Sequence, residues 1–302
     1  MISYIRNKDI DKIKWDQCIE DSSSPLIYAR FDFLQSISEN WDALIMDNYE
    51  QVMPITWNRK YTIYYLYQPF FCASLGIFGN NINGRTVKEF LEHIPRRFRF
   101  WDIYLNHSNY FYLEDYTFDK RLNFTLDLTN SFETLRKSFS KNHIKNISTA
   151  IKSGIKLDRE IPLKDIIHLA KRQAKSFSPI RSVHYRRFVK LYQILAAEKN
   201  AFTYGAYNKK NELLASAVFL FSFGRAYYIL VGNHPKGRNS GASHYLMNEF
   251  IKDHSEKKLI LDFEGSNIES IARFYKGFGG KEEIYPGLKM NRLPKLLQFL
   301  RK

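Results

Sequence analysis

"AFTYGAYNKKNELLASAVFLFSFGRAYYILVG", residues 201 to 232, predicts three β-strands joined by short polar turns. Runs of β-branched and aromatic residues are separated by clusters of Asn, Lys, Glu and Gly, the pattern of consecutive hairpins. "WDALIMDNYEQVMPITWNRKYTIYYLYQPF", residues 41 to 70, has the same layout. Each stretch precedes a loop, a helix and another strand, and the later strands contain Asp102 and Asp262 at the same spacing. The sequence therefore predicts two similar halves of α/β (α+β) class.

A helical segment separates these halves. "SFETLRKSFSKNHIKNISTAIKSG" begins at Ser131, a good N-cap residue, and ends at Gly154, which suits the position after a helix. Its helical spacing predicts one buried face with the residues Leu135, Phe139, Ile144, Ile147 and Ile151. A lysine stripe lies opposite, either for phosphate contact or as a solvated face. We predict domains at 1–130 and 131–302, the second preceded by a basic helix over 131–153.

Composition narrows the choice of partners. The chain has 302 residues, a net charge of +15 and a pI near 9.6, which favours an anionic partner such as nucleic acid or a phosphate-rich carrier. An A/T-rich genome would produce part of this charge through its lysine codons. Two cysteines cannot form a disulfide framework, and no metal-ligand spacing occurs. The sequence shows neither a signal peptide nor a bilayer-spanning run, so we expect a cytoplasmic protein.

A basic loop follows the last strand of the second hairpin region. In "VGNHPKGRNSGASHYLMNEF", residues 231 to 250, a strand ends, a glycine-containing loop follows, and a helix begins. The free N–H groups at a helix start bind phosphate well. The residues expected to hold the phosphate of a carrier are Lys236, Gly237, Arg238, Asn239, Ser240, Gly241 and Ala242. The alternative is an ordinary strand–loop–helix connection.

Two acids mark the end of the next apolar strand. "LILDFEGSNIESIARFYKGFGG", residues 259 to 280, places Asp262 and Glu264 two apart on a strand, so we expect them to share a face. Acylation of an amine requires loss of a proton, and either carboxylate is a candidate general base. The alternatives are a cap or a surface ion pair. A backbone N–H between Tyr227 and Gly232 is a candidate donor to an oxyanion.

These motifs resemble those of the GNAT acyltransferase superfamily. Arg238-Asn239-Ser240-Gly241-Ala242-Ser243 is similar to its pyrophosphate loop, and "SIARFYKGFGG" looks like its following helix. The resemblance implies that Tyr275 protonates the leaving group.

Most of the chain resembles the Fem-like (FemABX) aminoacyl and acyltransferases. "FTLDLTNSFETLRKSFSKNHIKNISTAIKSGIKL", "DFEGS" and "FYKGFGG" carry this likeness. It implies two tandem GNAT-like domains, each a mixed, largely antiparallel sheet flanked by helices. It also implies transfer of an acyl or aminoacyl group to an amine, with modification of peptidoglycan or of the cell envelope as one use. The donor substrate would be acyl-CoA or aminoacyl-tRNA, with no permanently bound cofactor.

The first half lacks a basic loop. "YQPFFCASLGIFGNNING", residues 67 to 84, is aromatic and uncharged, so we expect Tyr67, Gln68 and Phe71 to line the acceptor cleft, with Lys276 as a further substrate contact. The competing hypothesis for the whole chain is a non-catalytic nucleic-acid-binding protein on the same fold, which its charge supports.

Overall fold

The computed structural model describes residues 1–174, 180–237 and 239–293. The chain forms two compact units. Unit 1 contains Met1–Leu122 and the segment that begins at Ile284, and unit 2 contains Asn123–Glu283. The units therefore differ in their bounds from the predicted halves 1–130 and 131–302, because the chain returns to unit 1 near its end.

Unit 1 is built on a mixed sheet. Its strands are β1 (Ile2–Ile5), β2 (Asn40–Met46), β3 (Gln51–Lys60), β4 (Ile63–Tyr67), β5 (Phe78–Gly79) and β6 (Phe98–Tyr104), and its helices are α1 (Lys12–Glu20), α2 (Phe31–Ile37) and α3 (Gly84–His93). Strands β1 to β4 pair antiparallel in chain order, β5 pairs with β3, and β4 pairs parallel with β6.

Unit 2 repeats this succession. After β7 (Phe118–Asp127) come α4 (Phe132–Lys137), α5 (Lys141–Lys152), β8 (Lys156–Asp158), α6 (Leu163–Ala174), α7 (Ser182–Ala197), β9 (Ala201–Tyr207), β10 (Leu213–Ser222), β11 (Arg225–Asn233), α8 (Ala242–His254), β12 (Ile260–Asp262), α9 (Glu269–Lys276) and β13 (Lys281–Asn291). Strands β8 to β11 pair antiparallel, β11 pairs parallel with β12, and β12 pairs antiparallel with β7. Residues 287–291 of β13 belong to unit 1, where they pair with β6.

Both units thus contain an antiparallel meander, a helix and a strand parallel to the last strand of the meander. The predicted fold class, a mixed and largely antiparallel sheet with flanking helices in each half, is confirmed. The parallel pair follows from the intervening helix, α3 in unit 1 and α8 in unit 2, because a parallel connection needs a crossover.

Aromatic side chains fill the core of each unit. In unit 1, Phe90, Phe98 and Trp101 are fully buried, and the indole N–H of Trp101 donates to the carbonyl of Phe98 at 2.8 Å. In unit 2, Phe219 of β10 and Phe250 of α8 stack with ring centroids 3.6 Å apart. Burial of side chains of this size dominates the stability of such sheets.

The predicted basic helix over 131–153 is wrong as a single element. Ser131 caps α4 by accepting from Thr134 N–H, and Ser140 starts a second helix by accepting from His143 N–H. This restart changes the helical phase of the later residues. Ile144 and Ile151, predicted to face inward, are therefore 37% and 57% exposed. The buried positions of α5 are His143, Ile147 and Ala150.

Helix α5 packs against the start of α8. Gly241, the N-cap of α8, has a positive φ of 71°. A Cβ atom at Gly241 would overlap the carbonyl oxygen of Asn146 on α5. Glycine is therefore required at this position both by the left-handed backbone and by the close approach of the two helices.

We predict that Gly241→Ala destabilises unit 2 more than Gly224→Ala. Gly224 also has a positive φ, 68°, but a Cβ there would meet no atom within 4 Å. Both variants incur the left-handed strain of about 1–2 kcal/mol, and Gly241→Ala adds an overpacking cost of about 1–3 kcal/mol. Urea unfolding of the two variants measures the difference. Equal free energies of unfolding would contradict the contact between α5 and α8.

Candidate active site

The pairing between β11 and β12 is short. It joins Arg225 to Ile260, Ala226 to Leu261 and Tyr227 to Asp262, and then β12 ends. Strand β11 continues to Asn233. The edge of β11 from Tyr228 onward therefore has no partner strand on this side among the described residues. Opposite β10 the same strand contains a bulge, because Leu230 pairs with Val218 and Tyr228 pairs with Phe219, which leaves Ile229 extra.

A buried ionic network fixes the end of β12. The Asp262 carboxylate, 2% exposed, accepts from Arg225 at 3.0 Å and from the side-chain amide of Asn123 at 3.0 Å. Arg225 also binds Glu283 at 2.9 Å. Burial raises the pKa of Asp262 above that of an exposed aspartate, and the Arg225 guanidinium opposes this shift. Removing either partner from such a pair leaves an unpaired buried charge, which is strongly destabilising.

The expectation that Asp262 and Glu264 share a strand face is wrong. Strand β12 ends at Asp262, and Glu264 has a left-handed backbone with φ of 67°. The backbone N–H of Glu264 donates to Asp262 at 2.9 Å, which holds this turn. Neither acid lines the pocket described next, so the assignment of one of them as a general base stays a prediction.

A pocket of about 350 Å³ lies beside the open edge of β11. Besides β11 and the loop residue Gly237, three helices contribute to it: α6 at its end, α8 at its start and α9 along its length. The lining residues are Gln173, Tyr228, Val231, Asn233, Gly237, Ser243, His244, Ser270, Ile271, Phe274 and Tyr275. This combination of apolar walls and a few convergent polar groups is typical of a ligand site.

Two phenols border the pocket. Tyr275, predicted as the proton donor, is 8% exposed and stacks on Phe263 with ring centroids 4.8 Å apart. Tyr228 is 5% exposed. Burial raises the pKa of both phenols well above that of an exposed tyrosine, and the neighbouring Tyr228 raises the pKa of Tyr275 further. Both therefore remain neutral at ordinary pH and can donate a hydrogen bond.

A pair of histidines lies behind the pocket. The rings of His143 and His244 have centroids 4.6 Å apart. His143 is fully satisfied, between the Ser140 hydroxyl at 2.9 Å and the carbonyl of Phe274 at 2.9 Å. Burial, with a smaller contribution from His143, lowers the pKa of His244 to about 4. His244 is thus neutral at pH 7 and borders a second pocket of about 570 Å³, together with Arg273 and Lys276.

The predicted phosphate loop adjoins the pocket. Gly237 and the helix start after Gly241 border it, while Lys236 points to solvent and pairs with Glu212 at 2.9 Å. Asn239 is exposed, Ser240 donates to the Gly237 carbonyl at 3.0 Å, and Ala242 is buried. Arg238 lies outside the described residues. The N-cap of α8 makes no side-chain cap bond, so its first N–H groups are not capped by a side chain.

The equivalent cleft in unit 1 is closed. The space beside β4 and β6 has a volume of only about 10 Å³. Gln68 bridges it, because its Oε1 accepts from Tyr104 N–H at 3.1 Å and its Nε2 donates to the Cys72 carbonyl at 2.9 Å. The hydroxyl of Tyr67, another predicted acceptor contact, accepts from Glu39 N–H at 3.0 Å, and Phe71 has a positive φ of 62°.

Lys276 and the lysines of the helical segment have different environments. Lys276 pairs with Glu282 at 2.6 Å and lies over the ring of Phe124. Lys141, Lys145 and Lys152 of α5 are exposed and form no ion pair with another described residue. They are available to an anionic partner.

Sequence reasoning missed several residues of the pocket. Gln173, Asn233 and His244 carry no motif of their own, and they meet only because α6, β11 and α8 converge. A signal existed for Tyr228 and Val231, since both lie in the strand proposed to supply the oxyanion donor. Among the described residues, no group of three His, Cys, Asp or Glu side chains could hold a metal ion, and no helix is long and apolar enough to cross a membrane.

Solved structures share this fold. FemX aligns with a TM-score of 0.66 at 13% identity, over 97% of this chain and 99% of FemX. A tandem GNAT protein from the clavulanic acid biosynthesis pathway aligns with a TM-score of 0.58 at 9% identity, over 98% and 100%. The C-terminal domain of a putative lysylphosphatidylglycerol synthetase from Agrobacterium fabrum gives 0.57 at 10% identity, over 95% and 93%.

These likenesses confirm the predicted resemblance to Fem-like proteins of the GNAT superfamily at the level of the fold. No protein-family model matches the chain. No curated protein matches it either.

The histidine pair predicts a pH dependence of stability. The pKa of His244 is about 4 in the folded protein and about 6.5 in the unfolded chain. The unfolded state therefore binds more protons between these values, and stability falls as the pH drops below about 6.5. Linkage gives a loss of up to about 2 kcal/mol between pH 7 and 5 from this residue.

The test is urea unfolding of the wild type and His244→Gln at both pH values. The variant should lose less stability on acidification than the wild type does. The same loss in both proteins would show that His244 titrates normally in the folded state.

Proposed function

We propose that the chain is an acyltransferase that moves an acyl or aminoacyl group from a phosphate-bearing carrier, acyl-CoA or aminoacyl-tRNA, to an amine. The observation that carries this proposal is the pocket at the open edge of β11, which joins a helix N-terminus to two neutral phenols. A carrier phosphate at the start of α8 would place its reactive carbonyl within this pocket. Modification of a peptidoglycan or cell-envelope amine is one use of this reaction.

The open edge of β11 supplies an oxyanion donor in this proposal. The backbone N–H of Asn233 points to Gln173, which lies on the pocket side. Backbone groups two residues apart on a strand point the same way, so the N–H of Val231 is directed into the pocket. A preorganised N–H of this kind stabilises the negative charge that develops on the carbonyl oxygen.

Tyr275 donates a proton to the leaving group as the bond to the carrier breaks. Burial is the main cause of the raised pKa of Tyr275, and the nearby Glu264 adds to it, so Glu264 is kept as a candidate base for the attacking amine. Asp262 holds the turn that contains Glu264 rather than reaching the pocket. Positioning of the two reactants supplies much of the remaining rate.

The first test is carrier binding. We expect calorimetric titration with acetyl-CoA, or with a mixture of charged tRNAs, to give saturable binding to one of them. Lys236→Ala/Arg238→Ala should weaken this binding about 10-fold or more, because each charged hydrogen bond is worth about 1.5–3 kcal/mol. Lys210→Ala/Lys258→Ala removes two exposed lysines of the same unit and should leave the affinity unchanged.

Titration at two salt concentrations distinguishes the transferase from the competing hypothesis of a nucleic-acid-binding protein. Binding to any nucleic acid that falls steeply with salt, without preference for charged tRNA or CoA, would identify a non-catalytic nucleic-acid-binding protein. The exposed lysines of α5 are the observation that keeps this second candidate open.

The second test concerns Tyr275. We expect Tyr275→Phe to lower kcat roughly 100-fold or more, as the loss of a general acid does, while carrier affinity changes little. Tyr245→Phe is the control, since Tyr245 lies on α8 outside the pocket lining. Full turnover by Tyr275→Phe, measured with whichever carrier binds, would exclude this residue as the proton donor.

A further inference from the structure

The amide of Gln173 has a fixed orientation at the pocket. Its Oε1 accepts the backbone N–H of Asn233 at 2.6 Å. A backbone N–H can only donate, so the amide oxygen must face it and the amide NH₂ group must point elsewhere. That NH₂ group makes no hydrogen bond to a described residue, and Gln173 lines the pocket. A polar donor is thus left for a ligand.

Asn233 repeats this arrangement at the end of β11. Its Oδ1 accepts the hydroxyl of Ser243 at 2.6 Å, which ties the end of β11 to the first turn of α8. Its NH₂ group has no hydrogen-bond partner among the described residues, and Asn233 also lines the pocket. The pocket therefore presents two amide NH₂ groups beside its two phenols. All four are suited to donate to carbonyl oxygens.

No described residue of the pocket lining carries a charge at pH 7. The lining contains no Asp, Glu, Lys or Arg within the described chain, and burial keeps His244 neutral. An ammonium group placed beside these amide donors would lose its hydration without gaining a counter-ion from the described residues of the lining. Burial of an unpaired charge is strongly unfavourable, whereas an acyl carbonyl gains hydrogen bonds in the same place.

We propose that Gln173 and Asn233 determine donor specificity: their amide groups hold the carbonyl oxygens of an uncharged acyl donor, and the pocket rejects an acyl group with an α-ammonium. This inference rests on the proposed transferase function. In this proposal the pocket selects simple acyl donors over aminoacyl donors, whichever carrier delivers them.

A matched pair of ligands tests this selection. Propionyl and alanyl groups differ in the α-ammonium, and each can be attached as a stable amide to 3′-amino-3′-deoxyadenosine and to the amine analogue of pantetheine. The affinities are measured by calorimetry at pH 6.5, where the α-amine of the alanyl group is protonated. We expect the propionyl form to bind at least about tenfold more tightly on the preferred carrier, as a mismatch of buried polar groups requires.

The variant Gln173→Glu tests the contribution of this amide to the preference, separately from that of the other pocket residues. A carboxylate still accepts the N–H of Asn233 but replaces the NH₂ donor with a charged oxygen, so the preference for propionyl should disappear or reverse. Asn233→Asp, which still accepts from Ser243, provides a second variant with the same expectation. Gln193→Glu, an exposed position on α7, introduces the same charge away from the pocket and should keep the wild-type ratio.

The outcomes separate the two proposals. Equal or tighter binding of the alanyl form by the wild type would overturn the specificity inference and leave the transferase proposal in place. An unchanged ratio in both Gln173→Glu and Asn233→Asp would do the same. Absence of binding by every form on both carriers would overturn the transferase proposal together with the inference.

Discussion

The early end of the pairing between β11 and β12 is the constraint on which the site depends. The carboxylate of Asp262 accepts hydrogen bonds from Arg225, from Asn123 and from the backbone of Glu264, so the chain turns away at this point. Had β12 continued beside β11, its backbone would have filled the edge that now borders the pocket. The buried carboxylate of Asp262 therefore matters here mainly because it ends strand β12, and less because of any net contribution to stability.

Unit 1 shows the same topology without the opening. Its parallel pair is also short, and yet one side chain, Gln68, makes hydrogen bonds to both borders of the cleft and closes it. In unit 2 the corresponding space is lined by Gln173 and Asn233, whose amide NH₂ groups make no hydrogen bond to a described residue. The difference between a closed cleft and an open one therefore depends on which polar groups are satisfied within the protein, and not on the arrangement of strands.

The strands and the fold class could be predicted because hairpin patterns and turn residues are local signals. The restart at Ser140 could not, since the apolar spacing continues across it and only the cap bond reveals the break. The backbone of Glu264 was equally hidden, because glutamate seldom adopts a positive φ. Tyr275 was found through a motif, whereas Gln173 reaches the pocket only through packing of α6 against β11, which no short segment encodes.

The contact between Gly241 and Asn146 links two segments that lie far apart in sequence. It involves the backbone carbonyl of Asn146, whose side-chain amide separately contacts His244 at 3.4 Å, so this contact depends on the path of α5 rather than on the side chain at that position. Over evolutionary time, α5 can exchange its outward residues and still support the loop before α8. An inserted or deleted residue between Ser140 and Asn146 would shift the carbonyl by about 100° around the helix axis. Evolution must therefore preserve the number of residues in α5 more strictly than the identity of those residues.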